Sequence, residues 1–137
     1  MKLAFRKPVD FIDRLIAIIT RGPYCHVSVV YGDMVISSEK KNGVTKHAFE
    51  DHAICDILEI KTSKEKEIID FLEKEIGSNY DLCGALRFIL PFLKPSSDKW
   101  FCSELIVAAL AEDKKFKEWE AQRFSPNSLY NKIKSLC

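Results

Sequence analysis

Cys102 is a residue whose type and position could support nucleophilic chemistry. It follows the polar segment Lys94–Lys99 and precedes an apolar stretch, so we expect its sulfur at the N-terminus of a buried helix. Backbone N–H groups and the helix dipole favour negative charge there, which predicts a lowered thiol pKa and a reactive thiolate. Alternatively, Cys102 packs as a small apolar side chain. We expect that packing role for the other four cysteines: Cys25, Cys55, Cys83 and Cys137.

His26 is the candidate partner of this thiol. It begins an alternating, β-branched segment directly after Gly22-Pro23-Tyr24, which places it at the end of a sheet. An imidazole can take the proton of a thiol near neutral pH and return it to a leaving group. Together the two residues indicate acyl-transfer chemistry, although a histidine at a strand end is often only a surface residue.

A third group can be predicted from the hairpin that His26 begins. A two-residue turn at Gly32-Asp33 sets a register in which His26 lies opposite Glu39, and facing residues share one side of a sheet. Glu39 is therefore the candidate acceptor that fixes the imidazole tautomer, with Ser37, diagonal to His26, as the alternative. A register slip of one residue would turn Glu39 away and leave it in a charged turn.

Hydrophobic periodicity supplies the elements that must position these residues. In the first helix, the apolar residues at helical spacing are Phe11, Ile12, Leu15, Ile16 and Ile19. We predict strands over His26–Tyr31, Met34–Glu39 and Cys55–Lys61, and helices over Asp10–Thr20, Ser63–Ile76, Leu82–Leu90 and Phe101–Leu110, with a last short helix opened by Ser125-Pro126. This order predicts an α+β domain over residues 1–137, with a small antiparallel sheet packed against a central helix.

Composition excludes several classes of function. The net charge is +1 and the lysines are interleaved with acidic residues, so we expect no nucleic-acid partner. No apolar run reaches the roughly 20 residues of a membrane span, and Asp10, Asp13 and Arg14 interrupt any signal-peptide pattern. Five irregularly spaced cysteines argue against a disulfide framework and favour a reducing, cytoplasmic location.

Two segments resemble the cysteine half of the NlpC/P60 superfamily. They are Gly77–Gly84, with its Gly, Tyr and Gly residues, and Trp100–Leu105, with its Cys-Ser pair. The segment Tyr24–Val30 is similar to the histidine strand of that superfamily but precedes the cysteine. This order resembles the circularly permuted branch that includes the YiiX/YaeF/YebB-like amidases and, more distantly, the lecithin:retinol acyltransferase group. The resemblance extends from a strand at Met1–Lys7 to the helix at Ser125-Pro126-Asn127.

The resemblance implies a permuted papain-like fold and a cysteine peptidase or amidase-type hydrolase. It makes Cys102 the nucleophile and His26 the base, and it suggests that Tyr80 stabilises an oxyanion beside the Cys102 N–H. The third catalytic residue departs from the family pattern, in which a glutamate on the second strand is usual. Counting back from Gly43 places Ser38, rather than Glu39, at the position of that glutamate. The expected substrate is a small molecule, a peptide or a lipid-acyl group, and no cofactor is expected.

Three other functions remain open. A lipid hydroxyl or amine could receive the acyl group instead of water, or the chain could be a binding module that has no catalytic activity. A metal site could combine His47, His52 and Cys55 with Cys25-His26, but this spacing matches no recognised zinc pattern, so we expect no metal. The bond that is cleaved could be an amide, peptide, isopeptide, ester or lipid-acyl bond.

Overall fold

A five-stranded antiparallel sheet forms one layer of the protein. The computed structural model describes residues 1–49, 55–94 and 98–136. The order in the sheet is β4-β3-β2-β1-β5. The strands are β1 (Lys2–Arg6), β2 (His26–Tyr31), β3 (Met34–Glu39), β4 (Gly43–Ala48) and β5 (Cys55–Glu59). The sequence predicted all of these strands except β4, an edge strand whose exposed second half lacks apolar alternation.

The hairpin of β2 and β3 has the predicted register. Tyr31 pairs with Met34 and Val29 pairs with Ile36 across a two-residue turn. Gly32 in this turn has a φ of +60°, which glycine adopts without the steric cost that a side chain would add. The predicted turn at Gly32-Asp33 is therefore confirmed.

The described residues also form five α-helices and a short parallel ladder of two strands. The helices are α1 (Phe11–Ile19), α2 (Glu65–Lys74), α3 (Leu82–Leu86), α4 (Cys102–Leu110) and α5 (Pro126–Lys134), and the ladder pairs β6 (Asn79–Tyr80) with β7 (Lys99–Trp100). Ser125 and Ser128 form a capping box at the start of α5, which fits the predicted Ser-Pro opening. In the described part of the chain, no helix is long and apolar enough to cross a membrane.

The bounds of α2 and α3 differ from the sequence prediction, and α2 ends at Lys74 instead of Ile76. Lys64, rather than Ser63, is the N-cap residue of α2, and no side chain caps this helix. α3 ends at Leu86 instead of Leu90. The Asp81 side chain accepts a hydrogen bond from the Gly84 N–H and so fixes the start of α3.

The buried face of α1 also differs from the expected apolar stripe. Asp13, Ile16 and Ala17 are buried, whereas Phe11 and Leu15 are exposed. The reason is an ion-pair cluster at the end of the sheet, where the Asp13 carboxylate meets the side chains of Arg6 and Lys40. This buried carboxylate orients α1 and leaves part of its apolar surface outside the core.

The two faces of the sheet have different surroundings. On one face, α4 packs against β2 and β3, and the buried side chains there include Val27, Val29, Ile36, Leu105 and Ile106. On the other face, a smaller cluster contains Ala4, Val30 and Val35. The molecule is thus a mixed α+β structure with an antiparallel sheet, and α4 is its buried central helix.

Candidate active site

Cys102 is the first residue of α4, as the sequence predicted. Phe101 is the N-cap residue, and the β7 strand that precedes it pairs with β6. The Cys102 sulfur lies within reach of the backbone N–H groups of Val27 and Ser103, both of which favour a thiolate. Val27 directly follows His26 in β2, so the thiol lies beside the strand end that carries the candidate base.

The protonation state expected for Cys102 is wrong. Its side chain belongs to the main core and is only 1% exposed, and this burial raises the pKa of the thiol to about 12. The two N–H groups act in the opposite direction, as a helix N-terminus should, but the loss of solvation outweighs them. In this structure, Cys102 is therefore a neutral thiol and not the preformed thiolate that the sequence suggested.

His26 and Glu39 meet on the face of the sheet opposite α4. Nε2 of His26 lies 3.3 Å from Oε1 of Glu39, the distance of an ion pair. Nε2 is nevertheless buried without a well-aligned hydrogen bond, so the two groups are in electrostatic contact with imperfect geometry. The predicted proximity of the two side chains is confirmed, and Glu39 does not turn away into the charged loop that follows it.

The environment of Glu39 keeps its carboxylate ionised. Contact with the His26 imidazole is the largest cause that lowers the pKa of Glu39 to about 2. Burial acts against this shift, whereas a hydrogen bond from Ser37 and the charge of Arg6 add to it. The Ser37 hydroxyl donates to Oε1 of Glu39 over 2.8 Å. Ser37 thus contacts Glu39 and holds the carboxylate next to His26.

Ser38 points to the other side of the sheet. Its hydroxyl donates a hydrogen bond of 2.7 Å to the carbonyl oxygen of Trp100, two residues before Cys102. Ser38 therefore cannot take the place of Glu39 beside the imidazole, but it ties β3 to the segment that leads into α4.

Tyr80 lies close to the thiol because of the β6–β7 ladder. It pairs with Trp100, and its ring is 6.1 Å from that of Phe101, measured between centroids. Burial raises the pKa of the Tyr80 phenol, and the neighbouring Cys102 and Asp13 add to the shift. The phenol therefore stays protonated and can donate a hydrogen bond, as the predicted oxyanion role requires.

A cavity of about 350 Å³ opens next to His26 and Glu39. Arg6, Ser28 and His47 also line it, so its surface carries groups that can hydrogen-bond a polar ligand. Among the described residues, Cys102 does not contribute to this lining. The structure therefore brings the thiol and the imidazole to the same strand end, with the thiol on the α4 side and the imidazole on the cavity side.

No protein-family model matches the chain, and no curated protein matches it. Any function assigned to this site therefore depends on the side chains themselves.

Arg6 and Asp13 are site residues that the sequence analysis did not identify. Arg6 pairs with His26 in the sheet and lines the same cavity, while its Nη2 atom lies 3.5 Å from Oδ2 of Asp13. Alternation along β1 could have placed Arg6 on the face of His26. Asp13 could have been identified because it lies three positions before Ile16, on the inward side of α1, where an acidic residue needs a partner.

The metal site that we considered finds no support in the described residues. No group of three or more histidine, cysteine or acidic side chains in the described ranges could hold a metal ion, and His52 lies outside these ranges. Four cysteines are described, and none of these four forms a disulfide. Cys25 is buried as expected, but the prediction for Cys83 is wrong because this residue is exposed on the short α3 helix. Cys137 lies outside the described residues.

Proposed function

We propose that the protein is a cysteine-dependent hydrolase of an amide, peptide or acyl bond, with a permuted papain-like fold. It would resemble the YiiX/YaeF/YebB-like amidases of the NlpC/P60 superfamily and would act in the cytoplasm. In this proposal Cys102 is the nucleophile, His26 is the general base, and Glu39 holds the imidazole.

One observation carries the proposal. The sulfur of Cys102 lies at the start of α4, within reach of the N–H group of Val27. The residue before Val27 is His26, whose imidazole is in contact with the ionised carboxylate of Glu39. Acyl-transfer enzymes that use a thiol or a hydroxyl need a nucleophile, a base and an acceptor behind the base. Here the base and the acceptor are in contact, and the nucleophile lies at the same strand end on the other face of the sheet.

The reaction would begin with a neutral thiol, because the pKa of Cys102 is raised to about 12. In the resting structure the imidazole and the thiol lie on opposite faces of the sheet, so the His26 side chain must first turn around the end of β2. The ring nitrogen of His26 that is turned away from Glu39 then accepts the thiol proton while the sulfur attacks the substrate carbonyl. The backbone N–H of Cys102 and the Tyr80 hydroxyl donate to the oxygen that becomes negatively charged.

The imidazolium then returns its proton to the leaving amine or alcohol as the carbon–heteroatom bond breaks. This step leaves a thioester on Cys102. His26 next removes a proton from water, the hydroxide attacks the thioester, and the acid and the free thiol are released. If a lipid hydroxyl or an amine replaces water, the same thioester yields acyl transfer.

The burial of Cys102 favours a second candidate, a binding module that has kept the fold without catalysis. A thiol that is 1% exposed with a raised pKa has the properties of a packing residue. In that case the cavity beside His26 would bind a ligand without forming a covalent intermediate.

Covalent trapping separates the two candidates. The protein is treated with electrophilic acyl probes that carry amide-like, ester-like and lipid-like groups, and the labelled residue is identified by mass spectrometry. We expect labelling at Cys102, its loss in Cys102→Ala and in His26→Ala, and its retention in Cys83→Ala, which removes an exposed thiol outside the site. Labelling that disappears only in Cys83→Ala, with the native site unmodified, would reject the hydrolase. Release of the trapped acyl group to added amine or to water then distinguishes transfer from hydrolysis.

A further inference from the structure

Large apolar side chains are exposed on two segments that meet on one side of the molecule. On α1, Phe11 is 79% exposed and Ile18 is 74% exposed, with Leu15 between them. On the segment after α3, Ile89 is exposed and Phe92 is 75% exposed. Ile18 and Ile89 line one shallow cavity together, so the two segments adjoin. We call these five residues the apolar surface.

The spacing on α1 shows that this exposure is systematic. Phe11, Leu15 and Ile18 stand at positions i, i+4 and i+7, which form one stripe along a helix. The opposite stripe is buried through Ile16 and Ala17. α1 is thus apolar on both sides, and the outward stripe contributes nothing to the described core. Soluble proteins rarely expose a contiguous apolar patch of this kind without a binding partner.

The charges around the apolar surface are mostly positive. The segments 9–21 and 82–94 contain only two carboxylates, Asp10 and Asp13, and both are bound by Lys40. Arg14, Arg21 and Lys94 are exposed on these segments with no free acidic residue beside them along the chain. Elsewhere on the surface, as on α2, lysines pair with acidic neighbours.

We infer that the apolar surface binds peripherally to an anionic phospholipid surface. Phe11, Ile18 and Phe92 enter the boundary between headgroups and acyl chains, while Arg14 and Arg21 contact the phosphate and carboxylate groups of the lipids. A second copy of the chain is a poorer occupant, because a symmetric contact through this surface would bring the same arginines together. The inference goes beyond the proposed hydrolase and does not require Cys102.

Vesicle co-sedimentation tests the inference. The full chain should bind phosphatidylcholine vesicles that contain phosphatidylserine, and it should bind pure phosphatidylcholine vesicles much less. Phe11→Asp and Ile18→Asp should each weaken the partition coefficient by about tenfold or more. Arg14→Gln and Arg21→Gln should each weaken it by about fivefold and reduce its dependence on salt. Ile76→Asp is the matched control, because Ile76 is also exposed but lies after α2, outside the apolar surface.

Each outcome decides the question. Binding to anionic vesicles that Phe11→Asp removes and Ile76→Asp preserves supports the lipid surface, and Cys102→Ala should bind like the wild type whether or not the protein is an enzyme. Absence of binding to anionic vesicles, or equal loss in Ile76→Asp, overturns the inference. Concentration-dependent dimerisation in light scattering that Ile18→Asp abolishes, without vesicle binding, would assign the surface to a second copy. Far-UV circular dichroism of each variant confirms that it is folded.

Discussion

Replacing Glu39 by glutamine tests the central pair of the site, because it removes the charge and keeps the shape. The pKa of Glu39 is lowered from 4.5 to about 2, first by its contact with His26 and further by Ser37 and Arg6. At 1.36 kcal/mol for each pKa unit, this shift corresponds to about 3 kcal/mol of stability. The value is an upper limit, because the Glu39 side chain is about a quarter exposed.

The sign of the effect sets the pH range of the measurement. A carboxyl whose pKa is lower in the folded than in the unfolded protein stabilises the fold above its unfolded pKa. Its contribution is lost as the pH falls from 4.5 through about 2. We therefore expect Glu39→Gln to be less stable than the wild type at neutral pH by up to about 3 kcal/mol, and the two proteins to converge in strong acid.

Urea unfolding over a series of pH values is the assay. Glu67→Gln serves as the control, because Glu67 is a surface residue whose ion pair with Lys64 is open to solvent and should contribute little. If the difference between wild type and Glu39→Gln is the same at neutral pH and in strong acid, Glu39 is not held ionised by His26 and the proposed acceptor is wrong.

Three further predictions concern the reaction and the thiol. His26→Ala should lose nearly all hydrolytic activity while Glu39→Gln keeps part of it, since an acceptor orients the imidazole but does not move the proton; equal losses in kcat would contradict these separate roles. Cys102→Ser should reduce the free energy of unfolding by about 1–3 kcal/mol because the side chain is buried in the core. An unchanged urea midpoint would show that the side chain is not packed in the core. In native protein at neutral pH, iodoacetamide should modify the exposed Cys83 faster than Cys102, and faster labelling of Cys102 would contradict its raised pKa.

The sequence was most informative where local rules determine the structure. The turn at Gly32-Asp33 determines the register of β2 and β3, and that register alone brings His26 and Glu39 together. The start of α4 at Cys102 follows from the change between a polar segment and a nearly uniform apolar one. Both features depend on residues within a few positions of one another, so no long-range contact was needed to predict them.

Long-range contacts decided the features that the sequence did not predict. α1 buries Asp13 because Arg6 and Lys40 reach it from β1 and from the end of β3. Periodicity within the helix places Asp13 at an inward position, but it does not identify these two distant partners. β4 exists because it can pair with β3 along its whole length, although its own residues alternate poorly. In each case a partner distant in the sequence outweighs the local pattern.

The ionisation of Cys102 depends on two opposing effects, the helix N-terminus and burial, and both arise from the apolar sequence of α4. The apolar residues that mark α4 as the central helix, such as Leu105 and Ile106, also exclude water from its first turn. A helix N-terminus lowers a thiol pKa only to the extent that the sulfur keeps some solvation, and here burial is the larger effect. Because the resting thiol is neutral, catalysis through Cys102 requires that a substrate reach the α4 side of β2. It also requires that the His26 imidazole, which lies on the other face of the sheet, move around the strand end to accept the proton. Reactivity of Cys102 is then limited by the access of a substrate to the buried thiol, because no thiolate is formed in advance.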